Sequence, residues 1–187
     1  MRSVDYQAYL FRIEFNLTEF PLDYKFLSLF LRNNGFIIKT YIEAQKEISE
    51  KGYAQYAKEH AAFTVIDPAL DEPVIYINDT LPFERKTKSL LHEVGHIYLN
   101  HTYRGVMGNA ADGQKKNVQE EEADQFASAV SAPPCVMRKW RITSIEQLCN
   151  VAQLPLNDAV IISQTIKQIS DLPELPVEKT LCSLMQK

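Results

Sequence analysis

The sequence contains the pattern His-Glu-x-x-His at residues 92–96, inside the largely apolar stretch 89–99. On an α-helix, residues four apart lie on one face, so His92 and His96 point the same way and can hold one metal ion. Glu93 is rotated by about 100° and can reach a water bound to that metal. Two neutral imidazoles suit zinc, and a carboxylate beside a zinc-bound water can hydrolyse an amide. The pattern therefore predicts a metal site with Glu93 as its catalytic residue.

A helix with two ordinary hydrogen-bonded histidines and no metal is the alternative interpretation. The neighbouring residues make this helix apolar on most sides and predict that it is buried: Leu90, Leu91, Val94, Ile97, Tyr98 and Leu99. Two histidines and a glutamate in a buried helix need polar partners, and one metal ion can satisfy them together. We therefore favour the metal site.

The third ligand of a catalytic zinc must come from another segment. His101 follows His96 by five residues instead of six, so the three-histidine extension of the pattern fails. The run 120–127, Glu-Glu-Glu-Ala-Asp-Gln-Phe-Ala, resembles the second helix of glutamate-type zinc peptidases. That resemblance implies that Glu120 is the third ligand and that Asp124 supports a ligand histidine. The alternative is a solvated acidic helix start, since glutamate favours the first turn.

A helical wheel ranks the three consecutive glutamates. The apolar residues of this run define one buried face: Ala123, Phe126, Ala127 and Val130. Glu120 lies about 60–70° from the centre of that face, Glu122 about 90–100° and Glu121 about 160–170°. Glu120 is therefore the best-placed ligand and Glu121 the worst. Asp124 falls on the same side as Glu120, where it can accept the other ring N–H of a ligand histidine.

Composition narrows the class of protein. A length of 187 residues suits one domain, or one domain with a small appendage. With the metal pattern, we expect a zinc metallopeptidase domain over 1–140 and a helical appendage over 141–187 that packs on it. A net charge of −4 gives no broad basic surface for nucleic acid. Three widely spaced cysteines predict free thiols in a reducing compartment. With no signal peptide and no long apolar run, we expect a cytoplasmic protein that does not contact membranes.

Apolar periodicity and turn residues predict the elements before the motif helix: a helix over 21–33 capped by Asn33-Asn34-Gly35, a strand over 36–41, a helical stretch over 43–60 and a hairpin of strands 62–67 and 73–78. Residues 79–82 predict the start of the motif helix, which runs to about Asn100. Three of the six glycines fall in 104–118, which predicts a loop between the two metal-bearing helices. This loop is either a plain linker or a lid or substrate-contacting loop.

Two further helices are predicted over 144–169, with a break near Pro155 and Ser144 as a cap. This outline fits a helix-turn-helix or a structural helical hairpin. The second helix carries one cation, Lys167, and a DNA-reading helix normally carries more positive charge. We therefore favour the structural hairpin and expect no direct DNA binding. The tail from Asp171, with two prolines, predicts irregular structure.

Other motifs surround the metal pattern in a recognisable order. Residues 73–78, Leu81-Pro82 and Arg85 precede it, and Glu-x-x-Ala-Asp-x-Phe-Ala with a later proline follows. Over roughly residues 35–134 this order resembles the ImmA/IrrE family of metallo-endopeptidases. The resemblance implies a cytoplasmic zinc protease of a bacterium or mobile element, typically cleaving a helix-turn-helix repressor. It also implies one Zn²⁺ per chain on His92, His96 and Glu120, with Glu93 as general base.

Together the elements predict an α+β, zincin-like domain. A small sheet from 36–41, 62–67 and 73–78 would pack on helices that include the metal-binding helix, with a C-terminal helical segment after it. The strand 73–78, just before the metal helix, is expected to hold substrate by strand addition. A further donor must stabilise the oxyanion. The candidates for oxyanion or substrate contacts are His101, Tyr76, Tyr98 and Tyr103.

A second class of function uses the same ligands. The chain would then be a non-catalytic protein-interaction or regulatory module with a structural zinc, closed by His101 or an acidic residue as fourth ligand. The intact Glu93 favours the enzyme, because a structural site needs no base.

Overall fold

A computed structural model of the chain describes residues 3–67, 71–101 and 113–186. Within these residues the elements are α1 (Ser3–Glu14), α2 (Tyr24–Asn33), β1 (Ile37–Thr40), α3 (Gln45–Glu50), α4 (Ala54–Glu59), β2 (Ala62–Asp67), β3 (Glu72–Ile77), α5 (Phe83–Tyr98), α6 (Gly113–Ser131), α7 (Pro134–Lys139), α8 (Ile145–Val151), α9 (Leu156–Ile169) and α10 (Pro176–Leu184). The predicted α+β class, a small sheet packed against helices as in zincins, is confirmed.

The chain forms two compact units. One comprises residues 23–123 and contains the sheet, α2 to α5 and the first part of α6. The other comprises residues 1–22 and 124–187 and has a helical core around Tyr9, Val136, Leu148 and Leu181. The predicted domain division after residue 140 stays a prediction.

The sheet has the strand order β1-β3-β2. β2 and β3 pair antiparallel, which confirms the predicted hairpin, and β1 pairs parallel with β3. β3 is thus central, and both of its edges are occupied. The strand predicted to hold substrate, 73–78, therefore has no free edge, whereas β2 is at an edge of the sheet.

The two faces of the sheet carry different residues, since successive side chains of a strand alternate. Phe63 and Tyr76 are directly paired and pack with Ala44 and Ile48 beneath α3. Thr64 and Ile75 belong to the opposite face. That face packs against α5, where the Thr64 hydroxyl donates to Glu93.

Helix ends in this unit follow the expected chemistry. The Asp23 side chain caps α2 by accepting from the N–H groups of Lys25 and Phe26. Beyond the last turn, Gly35 takes a left-handed φ of +91°, as the predicted cap requires. The stretch predicted as helical over 43–60 is two short helices, because Gly52 takes a φ of +76° between them.

Three predictions about the remaining elements can be compared with the structure. The two helices predicted over 144–169 are α8 and α9, and Ser144 caps α8 in a capping box with Gln147. The tail predicted to be irregular contains α10, so that prediction is wrong. Pro176 occupies the first turn of α10, the Glu178 carboxylate accepts from the N–H of Leu175, and the helix buries Leu181. Residues 113–118 of the predicted 104–118 loop belong to α6, and the rest of that loop lies outside the described residues.

Neither unit contains a described helix long and apolar enough to cross a membrane. Cys135, Cys149 and Cys182 are free thiols, as predicted.

Glu47 ties α3 to the sheet. Its carboxylate accepts hydrogen bonds from Lys39 Nζ at 2.7 Å, Lys51 Nζ at 2.7 Å and the Tyr76 hydroxyl at 2.8 Å. Burial opposes ionisation, but the three donors prevail and lower the pKa of Glu47 to about 2. The charged carboxylate of Glu47 therefore stabilises the folded protein more than the protonated form does.

Glu47→Gln is expected to destabilise the protein by about 2 kcal/mol at neutral pH, because a neutral amide cannot balance two ammonium groups. The contribution of a carboxylate with a lowered pKa is complete above its unfolded pKa of 4.5 and is lost as the pH falls through about 2. Urea unfolding at about pH 7 and about pH 3 measures both effects. Glu50→Gln, at an exposed position of α3, is the control. Equal stability of Glu47→Gln and wild type would contradict the expectation.

Candidate metal centre

Helix α5 holds the His-Glu-x-x-His residues in place. It starts after Pro82 and spans Phe83–Tyr98, close to the predicted range. Leu90, Leu91 and Val94 are fully buried, and the helix packs on β2 and β3. The apolar pattern thus fixes the rotation of the helix and, with it, the direction of the polar side chains.

Three potential ligand atoms converge on one point. His92 Nε2 lies 3.0 Å from His96 Nε2 and 3.2 Å from Glu120 Oε2, and His96 Nε2 lies 3.8 Å from Glu120 Oε2. A tetrahedral ion with bonds of about 2.0–2.1 Å holds its ligand atoms about 3.3 Å apart. The three distances bracket this value, so the donor set fits a divalent metal.

Helix α6 supplies the carboxylate. Glu120 faces the two histidines, and the hydrogen bond from His92 does most to hold its pKa well below the usual range. Glu121 is exposed, and Glu122 contacts His101 instead. The order of the three glutamates agrees with the helical wheel. The roles of His92, His96 and Glu120 as ligands stay predictions, but the structure brings these three side chains together.

Glu93 is buried beside the convergence point, with 6 % of its surface exposed. Its Oε2 accepts a hydrogen bond of 2.7 Å from the Thr64 hydroxyl of β2. Burial raises the pKa of Glu93, while His92 and His96 oppose that rise. A carboxyl group with a raised pKa is better suited to take and return a proton near neutral pH.

His101 packs behind His96 and contacts both His96 and Glu122. Its Nδ1 lies 2.8 Å from His96 Nδ1, and its Nε2 lies 3.2 Å from Glu122 Oε2. It therefore contacts the ring nitrogen of His96 that faces away from the convergence point. The structure brings His101 behind a potential ligand, and its role as an oxyanion or substrate contact stays a prediction. Burial lowers the pKa of His101, which favours the neutral ring.

Among the residues that the structure describes, the other predicted contact residues are not brought together at the point where the three potential ligands converge. Tyr76 is buried on the sheet face opposite α5, and its hydroxyl donates to Glu47, so it does not serve as an oxyanion donor. Tyr98 ends α5 about 160° around the helix from His96. Tyr103 lies outside the described residues. Asp124 lies one turn after Glu120 on α6, and its support of a histidine stays a prediction.

Sequence reasoning missed two residues of the site, Thr64 and the Glu122 partner of His101. Thr64 meets Glu93 across 29 positions of sequence, and no local pattern predicts that contact. The return of His101 onto His96 could have been predicted from Asn100, directly after the helix. Asparagine favours the left-handed cap position, which turns the next residue back towards the helix.

Among the described residues, the donor set has three members, one fewer than a closed structural site needs. Within the parts of the chain that the structure describes, only His92, His96 and Glu120 gather as potential ligands. His101 does not complete a set of four, because its Nδ1 faces the far nitrogen of His96. Three potential ligands with a buried carboxylate alongside resemble the arrangement of a catalytic metal.

Comparison with known families agrees with this chemistry. The family model Peptidase_M78, described as the IrrE N-terminal-like domain, matches residues 45–143, just over half of the chain, including all three potential ligands. No curated protein and no solved structure matches the chain. The family match confirms the resemblance to ImmA/IrrE proteins and supports a metallopeptidase. The chain therefore belongs to the Peptidase_M78 family of metallopeptidases, with an IrrE N-terminal-like domain.

Proposed function

We propose that the protein is a zinc-dependent endopeptidase. The observation that carries the proposal is the convergence of His92 Nε2, His96 Nε2 and Glu120 Oε2 beside the buried Glu93. Two imidazoles and a carboxylate are the ligands of a well-known class of catalytic zinc and leave a position open. We expect one zinc per chain.

The residues around that position have separate roles in peptide hydrolysis. A zinc ion held there supplies Lewis acidity to the reaction. Glu93 takes the proton of the attacking water and returns it to the leaving amine. The Thr64 hydroxyl orients Glu93 through one oxygen, which leaves the other oxygen of the carboxylate for the proton. Burial raises the pKa of Glu93, which favours uptake of the proton by its carboxylate.

The edge of β2 offers a place for an extended substrate. The N–H of Asn78 donates to Ala61 O, and hydrogen-bonded pairs alternate along an antiparallel ladder. The backbone N–H and C=O groups of Ala62, Thr64 and Ile66 are therefore directed away from β3. A substrate strand added at this edge would pass beside Thr64 and hence beside Glu93.

The substrate and location are part of the proposal. We propose a helix-turn-helix repressor as substrate, in the cytoplasm of a bacterium or encoded by a mobile element, on the strength of the family resemblance. Three free thiols support a reducing compartment. Direct DNA binding is not part of the proposal, since α9 carries a single cation, Lys167.

The test is cleavage of purified helix-turn-helix repressors, starting with any encoded next to this chain. The zinc-loaded protein is expected to cut one of them into defined fragments. A chelator should stop the reaction, and added zinc should restore it, because the ligands hold the ion reversibly. Undiminished cleavage by the metal-free protein would contradict the proposal. A zinc-loaded protein that cuts no repressor would favour the non-catalytic module.

A further inference from the structure

The end of α5 folds His101 back onto His96. The N–H of Asn100 donates to Ile97 O at 3.1 Å, and the N–H of His101 donates to His96 O at 3.0 Å. These are the two bonds of a Schellman motif, and Asn100 takes the left-handed φ of +54° that the motif needs. The side chains that this cap brings together are usually apolar, whereas here both are imidazoles.

The hydrogen bonds beyond that cap define one arrangement of protons. A carboxylate only accepts, so the proton in the 3.2 Å contact between His101 Nε2 and Glu122 is on His101 Nε2. A neutral His101 then offers the lone pair of Nδ1, and His96 donates its Nδ1 proton across the 2.8 Å contact. That leaves the lone pair of His96 Nε2 directed at the point shared with His92 and Glu120.

We propose that Glu122 and His101 are positioning residues that hold His96 in the tautomer and orientation required to bind metal through Nε2. The inference rests on the proposed function only in that a metal is placed at His96. An outer partner of this kind also makes a ligand imidazole more basic. His101 is 6 % exposed, so bulk water does not take over its role when the side chain is lost.

We call the hydrogen-bonded series Glu122–His101–His96 the relay. Zinc affinity, measured by competition with a fluorescent chelator, tests the relay without any substrate. His101→Leu is expected to weaken zinc binding by about 10–100-fold, the range for loss of an outer hydrogen-bond partner. His101→Gln should recover most of that loss, because its amide oxygen can accept from His96. His60→Leu, on the exposed fourth histidine, is the control and should bind zinc like wild type. Equal losses in His101→Gln and His101→Leu would overturn the proposal.

A second variant avoids the buried position altogether. Glu122→Gln should weaken zinc binding by about threefold to tenfold, since an uncharged acceptor makes a weaker hydrogen bond. Glu121→Gln, one residue earlier and exposed, should have no effect. Because Glu122 acts only through His101, its substitution should add nothing in a His101→Leu background. Additive losses in the double variant would overturn the relay.

Nuclear magnetic resonance of the zinc-loaded protein reports the tautomers directly. Long-range proton–nitrogen correlations should place a proton on His96 Nδ1 and on His101 Nε2, with His101 Nδ1 unprotonated. A proton on His101 Nδ1 would overturn the assignment. The two proposals also fail separately: a protein that binds zinc with these tautomers but cuts no repressor rejects only the protease function. Equal zinc affinity of wild type and His101→Leu rejects only the relay.

Discussion

Glu93→Gln is expected to leave the fold and the metal in place and to slow peptide cleavage by at least about a hundredfold, the usual scale of general-base catalysis. The glutamine keeps the size of the side chain, and its amide oxygen can still accept from the Thr64 hydroxyl. It cannot accept the proton of the attacking water. The loss should therefore appear in kcat, with substrate binding little changed.

The metal content and the thermal stability of this variant must be measured together with its rate. Removing a buried carboxylate relieves a desolvation cost, so Glu93→Gln should be at least as stable as wild type. Glu121→Gln is the matched control, because it makes the same chemical change at an exposed position of α6. Cleavage by Glu93→Gln at the wild-type rate would show that another group is the base.

The features of the site that follow from local periodicity were predictable. The spacing of His92 and His96 and the ranking of the three glutamates depend only on 3.6 residues per turn and on an apolar face. Neither needs any knowledge of which elements touch. For the same reason, the hairpin of β2 and β3 followed from two β-rich runs close together in sequence.

Features that depend on pairing between distant segments were not predictable. β1 joins the sheet in parallel beside β3, and this makes β3 central and leaves β2 at an edge. Because of that pairing, the free edge that could hold a substrate belongs to β2 and not to β3. The face assignment of Tyr76 depended on which helix covers which side of the sheet, information that its own strand does not contain.

The missed helix α10 has a different cause. The two prolines after Asp171 predict irregular structure, but Pro176 occupies the first turn of a helix, where a missing N–H costs nothing. Val177, Leu181 and Cys182 then recur at helical spacing and are buried in the helical unit. Packing of this apolar face against the rest of the unit stabilises the helix, and the sequence of the tail alone does not show that packing.

Glu120→Gln is expected to lose zinc more completely than any other single change on α6. Glu120 Oε2 lies 3.2 Å from His92 Nε2 and 3.8 Å from His96 Nε2, and the hydrogen bond from His92 does most to hold its pKa well below the usual range. A carboxylate so strongly held in its charged form is prepared to bind a cation. Glutamine offers a neutral oxygen instead. The loss of affinity should exceed the roughly 10–100-fold typical of an outer hydrogen-bond partner, and activity should disappear with the metal.

The three adjacent glutamates give an internal comparison for this prediction. Glu121→Gln should be silent, and Glu122→Gln should cause a small loss through His101. The order of zinc affinities is thus wild type and Glu121→Gln, then Glu122→Gln, then Glu120→Gln. A surplus of zinc should restore cleavage to Glu122→Gln but not to Glu120→Gln, because only the latter has lost a ligand. If Glu121→Gln or Glu122→Gln releases the metal while Glu120→Gln retains it, the rotation assigned to α6 is wrong, and the carboxylate ligand is a different glutamate.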